Sequence, residues 1–212
     1  MYPPTPRTTP LRLDARATYD AARVHAILDE AISCHLGFVV DGEPRVLPTL
    51  HVRIGTTLYV HGSTGSRPML AARGGGLAVC VAVTLLDGLV LARSQFHHSA
   101  NYRSVVAHGT ARPVDDDAEL RRVLAALVEK VAPGRGSDSR PPTRRELAQT
   151  AVLALPLAEV SAKVRSGGVA DDPDDHALPY WAGVVPLRLT PGRALPDVGV
   201  TVPVPPYLGI AG

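Results

Sequence analysis

A chain of 212 residues, 45% hydrophobic and 20% charged, is long enough to bury one sizeable core and has an ordinary globular composition. Its formal net charge of +2 excludes an electrostatic drive toward nucleic acid or an anionic membrane, so neither is expected as a partner. Cys34 and Cys80 lie in or beside apolar runs, which excludes a disulfide framework and reads them as small buried hydrophobes. No apolar run approaches the ~20 residues of a membrane helix, and the opening MYPPTPRTTPLRLD has no apolar signal-like centre; a cytoplasmic location is expected.

Residues 1–17, rich in Pro, Thr and Arg, read as an extended arm. A helix follows, since Val24, Ile27, Leu28, Ala31 and Ile32 recur at helical spacing behind Thr18 or Asp20 as cap. HLGFVVDGEPRVLPTLHV reads as two strands joined at Asp41-Gly42. In the second, Val46, Pro48, Leu50, Val52 and Ile54 alternate with Leu47, Thr49, His51 and Arg53, giving one apolar and one mixed face. TTLYVHG is a third strand, and LAVCVAVTLL and LVLARS flank Asp87-Gly88 as a hairpin signal. YRSVVAHGTARPV is the next strand.

A helical stripe then runs through Leu120, Val123, Leu124, Leu127, Val128 and Val131. After the loop PGRGSDSRPP, Thr143 and Glu146 form a capping box. AVLALPLAEV and WAGVVPLRL are late strands that Pro156 and Pro186 push toward edges or bulges. The Pro/Gly-rich stretch 191–212 reads as a second arm, leaving 18–190 as the domain. Short antiparallel strands with flanking helices point to a small β-barrel.

Three stretches have the residues for chemistry. HGSTGSR, residues 61–67, supplies two glycines, three hydroxyls and the Arg67 fork, the groups a phosphate needs; an ordinary hairpin loop fits it equally well. It is not a Walker loop, because no Gly-Lys-Ser/Thr follows. RSQFHHSANYRS, residues 93–104, concentrates polar and aromatic side chains between apolar runs. Strand alternation there separates Tyr102, Ser104, Val106 and His108 from Arg103, Val105 and Ala107. SAKVRSGG, 161–168, places Lys163 and Arg165 on one strand face, where together they could meet an anion.

Trp181 reads as a core anchor or as a wall beside a flat ring. His97, His98 and His108 lack zinc-motif spacing, and Asp171, Asp172, Asp174 and Asp175 read as a solvated loop, so no metal site is expected. No G-x-S-x-G marks a serine hydrolase.

The order RVLPTLHV…TLYVHGSTGSR…VTLLDGLVLARSQFHHSANYRSVVAHGTARPV resembles the flavin-nucleotide-binding branch of the pyridoxamine 5'-phosphate oxidase-like superfamily, related to nitroimidazole-reductase-like proteins, over about residues 20–190. The resemblance implies a split β-barrel of Greek-key type, mainly β with flanking helices, forming a homodimer with FMN at the subunit interface. Carried over residue by residue, Arg45, Val46, Leu47, Pro48 and Thr49 match the strand along the flavin and ribityl chain. His61 and Gly62 match the pair that ends the next strand against the cofactor, and Ser66 and Arg67 match part of a Ser-Arg-Lys phosphate grip. Arg103 and Ser104 match the oxidases' Arg-Gln position, the Lys163 stretch a later motif, and Trp181 their late tryptophan.

Pro68 stands where the grip has lysine, and the oxidases' C-terminal Arg-x-His has no match. The expected function is therefore an FMN-dependent oxidoreductase acting by hydride transfer on a small organic molecule other than pyridoxine phosphate, with His61 or His98 as the catalytic proton donor. A non-catalytic flavin or deazaflavin carrier or sensor and a haem-binding or haem-degrading barrel are the alternatives.

Overall fold

A computed structural model describes residues 1–208. Its nine strands pair only antiparallel. They are β1 (Ala17–Thr18), β2 (Ser33–Val40), β3 (Glu43–Ile54), β4 (Thr57–Ser63), β5 (Leu77–Leu91), β6 (Ser99–Pro113), β7 (Thr150–Pro156), β8 (Glu159–Arg165) and β9 (Gly183–Pro186). The ring β3-β2-β5-β6-β7-β4 closes on itself, with β8 and β1 added to β6 and β9 added to β5.

Two strands make this a split barrel. β3 pairs with β2 over Glu43–Leu50 and then with β4 over His51–Ile54. β6 likewise pairs with β8 over Tyr102–His108 and passes to β7 at Arg112–Pro113. Each therefore belongs to a larger and a smaller sheet.

Helix α1 (Ala21–Glu30) starts at Asp20, whose carboxylate accepts the Arg23 N–H at 2.8 Å. Val24, Ile27 and Leu28 enter the main core with Leu36, Val83, Val105, Leu153 and Val160. Ile32 lies beyond the helix and is exposed, unlike the rest of its predicted stripe. A second cluster forms where Val123 and Leu127 of α3 (Asp117–Val131) cover Val52, Tyr59, Val152 and Ala154 on the outside of the smaller sheet. α2 (Arg67–Ala72) and α4 (Arg144–Gln149) are short, and the Thr143–Glu146 capping box forms.

The sequence misleads at Asp87-Gly88. β5 runs through it without turning, and the register shift there marks a bulge. Asp87 is held by Arg103 across the strand pair, while a Cβ on Gly88 would stand 3.1 Å from the Val185 carbonyl oxygen of β9. The glycine serves close approach of the edge strand, not a tight turn. The chain reverses at 92–98, inside the polar stretch. AVLALPLAEV is also two strands, β7 and β8, divided at Leu157-Ala158.

The first residues lie back on the barrel. Tyr2 donates its N–H to Tyr19 O at 2.8 Å, its hydroxyl lies 2.6 Å from His25 Nε2, and β1 pairs with β8. Among the described residues no helix is long and apolar enough to cross a membrane.

Candidate functional site: the split between β3 and β4

β4 follows β3 only as far as the His51–Val60 pair, and β4 residues His61, Gly62 and Ser63 bond β7 alone. The edge of β3 from Glu43 to Leu50 that faces away from β2 consequently carries no strand among the described residues. The apolar/mixed alternation expected along this strand breaks down there, because neither face is covered. Val46 is 68% and Leu47 42% exposed, whereas His51 and Val52 are 0% and 6%. Exposed apolar residues on an open strand edge mark a surface that something else covers.

The loop after β4 begins past the point where the two strands part. Ser66 donates its N–H to Ser63 O at 2.9 Å, Thr64 to Gln149 O at 3.1 Å, and the Arg73 guanidinium donates to Thr64 O at 3.2 Å. Pro68 occupies the first turn of α2 and is buried, which suits its fixed φ and missing N–H. Ser66 caps that helix without using its hydroxyl. A Cβ on Gly62 would stand 3.2 Å from Met69 Cε and 3.4 Å from Ser66 Oγ, so a side chain there would press on Met69. Arg67 is exposed and enters no ion pair among the described residues.

Among the described residues two buried nitrogens on these strands lack partners, Arg45 Nε on β3 and His61 Nδ1 on β4, and the register of the His51–Val60 pair sets the two on opposite faces of the sheet. Among the described residues the Arg45 guanidinium otherwise binds only Glu43, at 3.0 Å. A free guanidinium and an uncommitted hydroxyl on the loop after β4 suit an anionic group, and the bare apolar edge suits a flat ring, the two parts of a flavin nucleotide.

The other residues singled out in the sequence are held elsewhere. β6 is separated from β3 by β2 and β5, about 14 Å along the sheet. Arg103 forks onto Asp87, at 2.9 and 2.7 Å, and also binds the Glu30 carboxylate at the end of α1. The guanidinium bond holds Glu30 below the usual carboxylate range, and the two carboxylates raise Arg103 further above its own. Its charge is spent within the protomer.

Ser104 Oγ donates to Lys163 O at 3.2 Å, and Lys163 Nζ lies 3.5 Å from Arg12 O. Arg165 binds Asn101 and Gly168 O. His98 lies on the 92–98 reversal with Nδ1 3.1 Å from Ser94 O and 3.3 Å from Ala92 N, so its free nitrogen is Nε2. Trp181 is 66% exposed and covers Gly183 at the start of β9; it is not a core anchor.

One polar group deep in the fold has no sequence signal. His51 Nε2 lies 2.9 Å from Leu28 O and 3.0 Å from Lys130 Nζ, and Lys130 donates to the same carbonyl at 2.7 Å. Burial first, and the lysine charge second, press His51 down to about 4; burial lowers Lys130 to about 8.

The chain matches the pyridoxamine 5'-phosphate oxidase family over residues 20–164. It belongs to that family. Among solved structures it is similar to the flavocytochrome Anf3 from Azotobacter vinelandii, with 38% identity, 98% of this chain and 97% of that one covered, and a TM-score of 0.90. It is also similar to the FAD and heme binding protein from Mycobacterium smegmatis, with 38% identity, 91% and 95% covered, and a TM-score of 0.85. A structure described as a 5-nitroimidazole antibiotic resistance protein from Bacteroides thetaiotaomicron shares the fold, at 21% identity over 70% of this chain and 86% of that one, with a TM-score of 0.58. A comparison with curated proteins gives no match. The family's barrel, split in this chain where β4 leaves β3, is thus the frame within which function has to be read.

Proposed function

We propose that this family member is a redox protein that binds a flavin and a haem, with the flavin laid along the bare half of β3. The observation that carries the reading is the open edge at Arg45–Thr49, with Gly62, Ser66 and Arg67 on the chain where β4 leaves β3, and with His61 Nδ1 unpartnered among the described residues. It is supported by 38% identity, over nearly the whole chain, to a flavocytochrome and to a protein named for binding FAD and heme.

FAD suits the loop better than the FMN implied by the resemblance. A phosphate monoester carries about −1.5 to −2 at pH 7, whereas each phosphorus of a diphosphate linkage carries about −1. Arg67, Ser66 Oγ and loop N–H groups, with Pro68 in place of the lysine, match the smaller charge density.

Bound there, a flavin supplies hydride and electron transfer and a haem supplies one-electron steps, toward a small organic substrate. The chain's own residues have narrower tasks. Arg67 and Ser66 fix the anionic tail, Gly62 keeps the corner open, and the Val46 side chain gives an apolar floor on the face that His61 shares. His61 holds or releases a proton beside that floor. His98, with Nδ1 occupied by the backbone, offers Nε2 to a proton or to iron. A second copy covering Val39 and Val46, exposed on one face of the sheet, completes the crevice as a homodimer.

The absorption spectrum of the purified protein, with the flavin identified after extraction, tests the proposal. Flavin bands with a Soret band are expected, and FAD as the released flavin; His98→Ala should remove the Soret band while leaving flavin. A protein that takes up no FAD, FMN or haem when they are supplied is not of this kind. Flavin without haem would reduce the reading to a flavoprotein.

A further inference from the structure

Two loops far apart in sequence are fastened together beyond the β5–β6 hairpin. Asp171, its side chain 1% exposed, accepts the backbone N–H of Arg93 at 3.0 Å and its guanidinium at 2.8 Å. Arg93 is thereby consumed. Past this joint, a 3-10 turn over Pro173–Ala177 follows Asp172, and Asp172 and Asp175 are related i to i+3, which such a turn stacks along one edge.

His97 ends the facing 3-10 turn, Gln95–His97, with Nε2 at 3.1 Å from Asp172 Oδ2. One ligand atom from each of His97, Asp172 and Asp175 lies within 4.8 Å of the others. Among the described residues neither carboxylate is paired with an arginine or lysine, in a chain holding 22 of them. The Asp172 carboxylate is also free of the capping role its position offers.

We propose that His97, Asp172 and Asp175 bind a divalent transition-metal ion of the zinc or cobalt type. The imidazole nitrogen selects against calcium and magnesium, which take oxygen donors, and two carboxylates balance the ion's charge. Three protein ligands leave at least one position for water, and the exposure of Asp172 gives that water access. The ion ties the 92–98 reversal to the segment that leads to Trp181 and β9, so its binding stiffens both loops. The site shares no residue with the β3–β4 crevice and stands or falls separately from the flavin reading. Sequence spacing could not show it, since the histidine and the carboxylates are 75 and 78 residues apart.

The test is a titration of the purified chain, with whatever flavin or haem it holds, using Zn2+ by calorimetry and Co2+ by its visible absorption. One ion per chain is expected, and His97→Ala and the Asp172→Asn/Asp175→Asn pair should each weaken it by at least about tenfold. His176→Ala, in the same loop but outside the donor set, should leave it unchanged. All three proteins should unfold at the wild-type temperature, because the residues are at the surface. Failure of the wild type to take up one equivalent overturns the proposal. So does binding undiminished in both ligand variants, or binding lost in His176→Ala.

Discussion

The two halves of β3 have the same alternating sequence and opposite fates. From His51 to Ile54 the strand is paired on β4, and α3 covers its outer face. There even a histidine is buried, tied with Lys130 to Leu28 O. From Glu43 to Leu50 one edge is bare and valine and leucine face solvent. Each half keeps one buried nitrogen without a partner among the described residues, His51 Nδ1 in the first and Arg45 Nε in the second, so it is exposure of the apolar side chains that separates the two. The same pattern of side chains makes core where a partner strand and helix arrive, and an exposed surface where they do not.

The largest effect should come from the buried histidine. Its proton affinity is depressed from 6.5 to about 4, so its contribution is fully present above pH 6.5 and is lost as the pH falls toward 4. That loss amounts to at most about 3 kcal/mol. Urea unfolding of the wild type at pH 7 and pH 4.5 should show it, and His51→Gln should flatten this part of the acid limb. An identical acid limb in both proteins would remove His51 from the account.

Val52→Ala and Val46→Ala sharpen the contrast, one residue type in each half of one strand. Val52→Ala should cost about 1.5–3 kcal/mol in urea unfolding, from lost burial and the cavity left behind. Val46→Ala should stay within about 0.5 kcal/mol while weakening flavin binding. Equal costs would mean the two halves are not different surfaces.

Arg67→Ala should reduce flavin affinity by about 1.5–3 kcal/mol, the worth of a charge-assisted hydrogen bond, in a fluorescence-quenching titration. Unchanged affinity would put the anionic tail elsewhere. The smallest effect is at the capping box: Thr143→Ala should lower stability by about 1 kcal/mol and leave flavin affinity alone.

Most of the fold could be read from local chemistry. Asp20, the Asp41-Gly42 turn and the Thr143–Glu146 box are short-range signals that nothing at long range contradicts. Asp87-Gly88 failed because a distant arginine and an edge strand gave those two residues other partners. The crevice was half legible. Glycine and hydroxyl spacing marked 61–67, but the bare edge follows from where β4 stops, which no single strand encodes. Arg103 looked like an available cation until Asp87 and Glu30, 16 and 73 residues away, were found to hold it. His97, Asp172 and Asp175 were invisible as a group for the same reason.

Hydrogen exchange with and without FAD tests the central claim most directly. The account predicts that FAD slows exchange in residues 44–50 and 61–68 and leaves 51–54, already paired and covered, unchanged. FAD bound at full occupancy with no protection in 44–50 or 61–68 would contradict it.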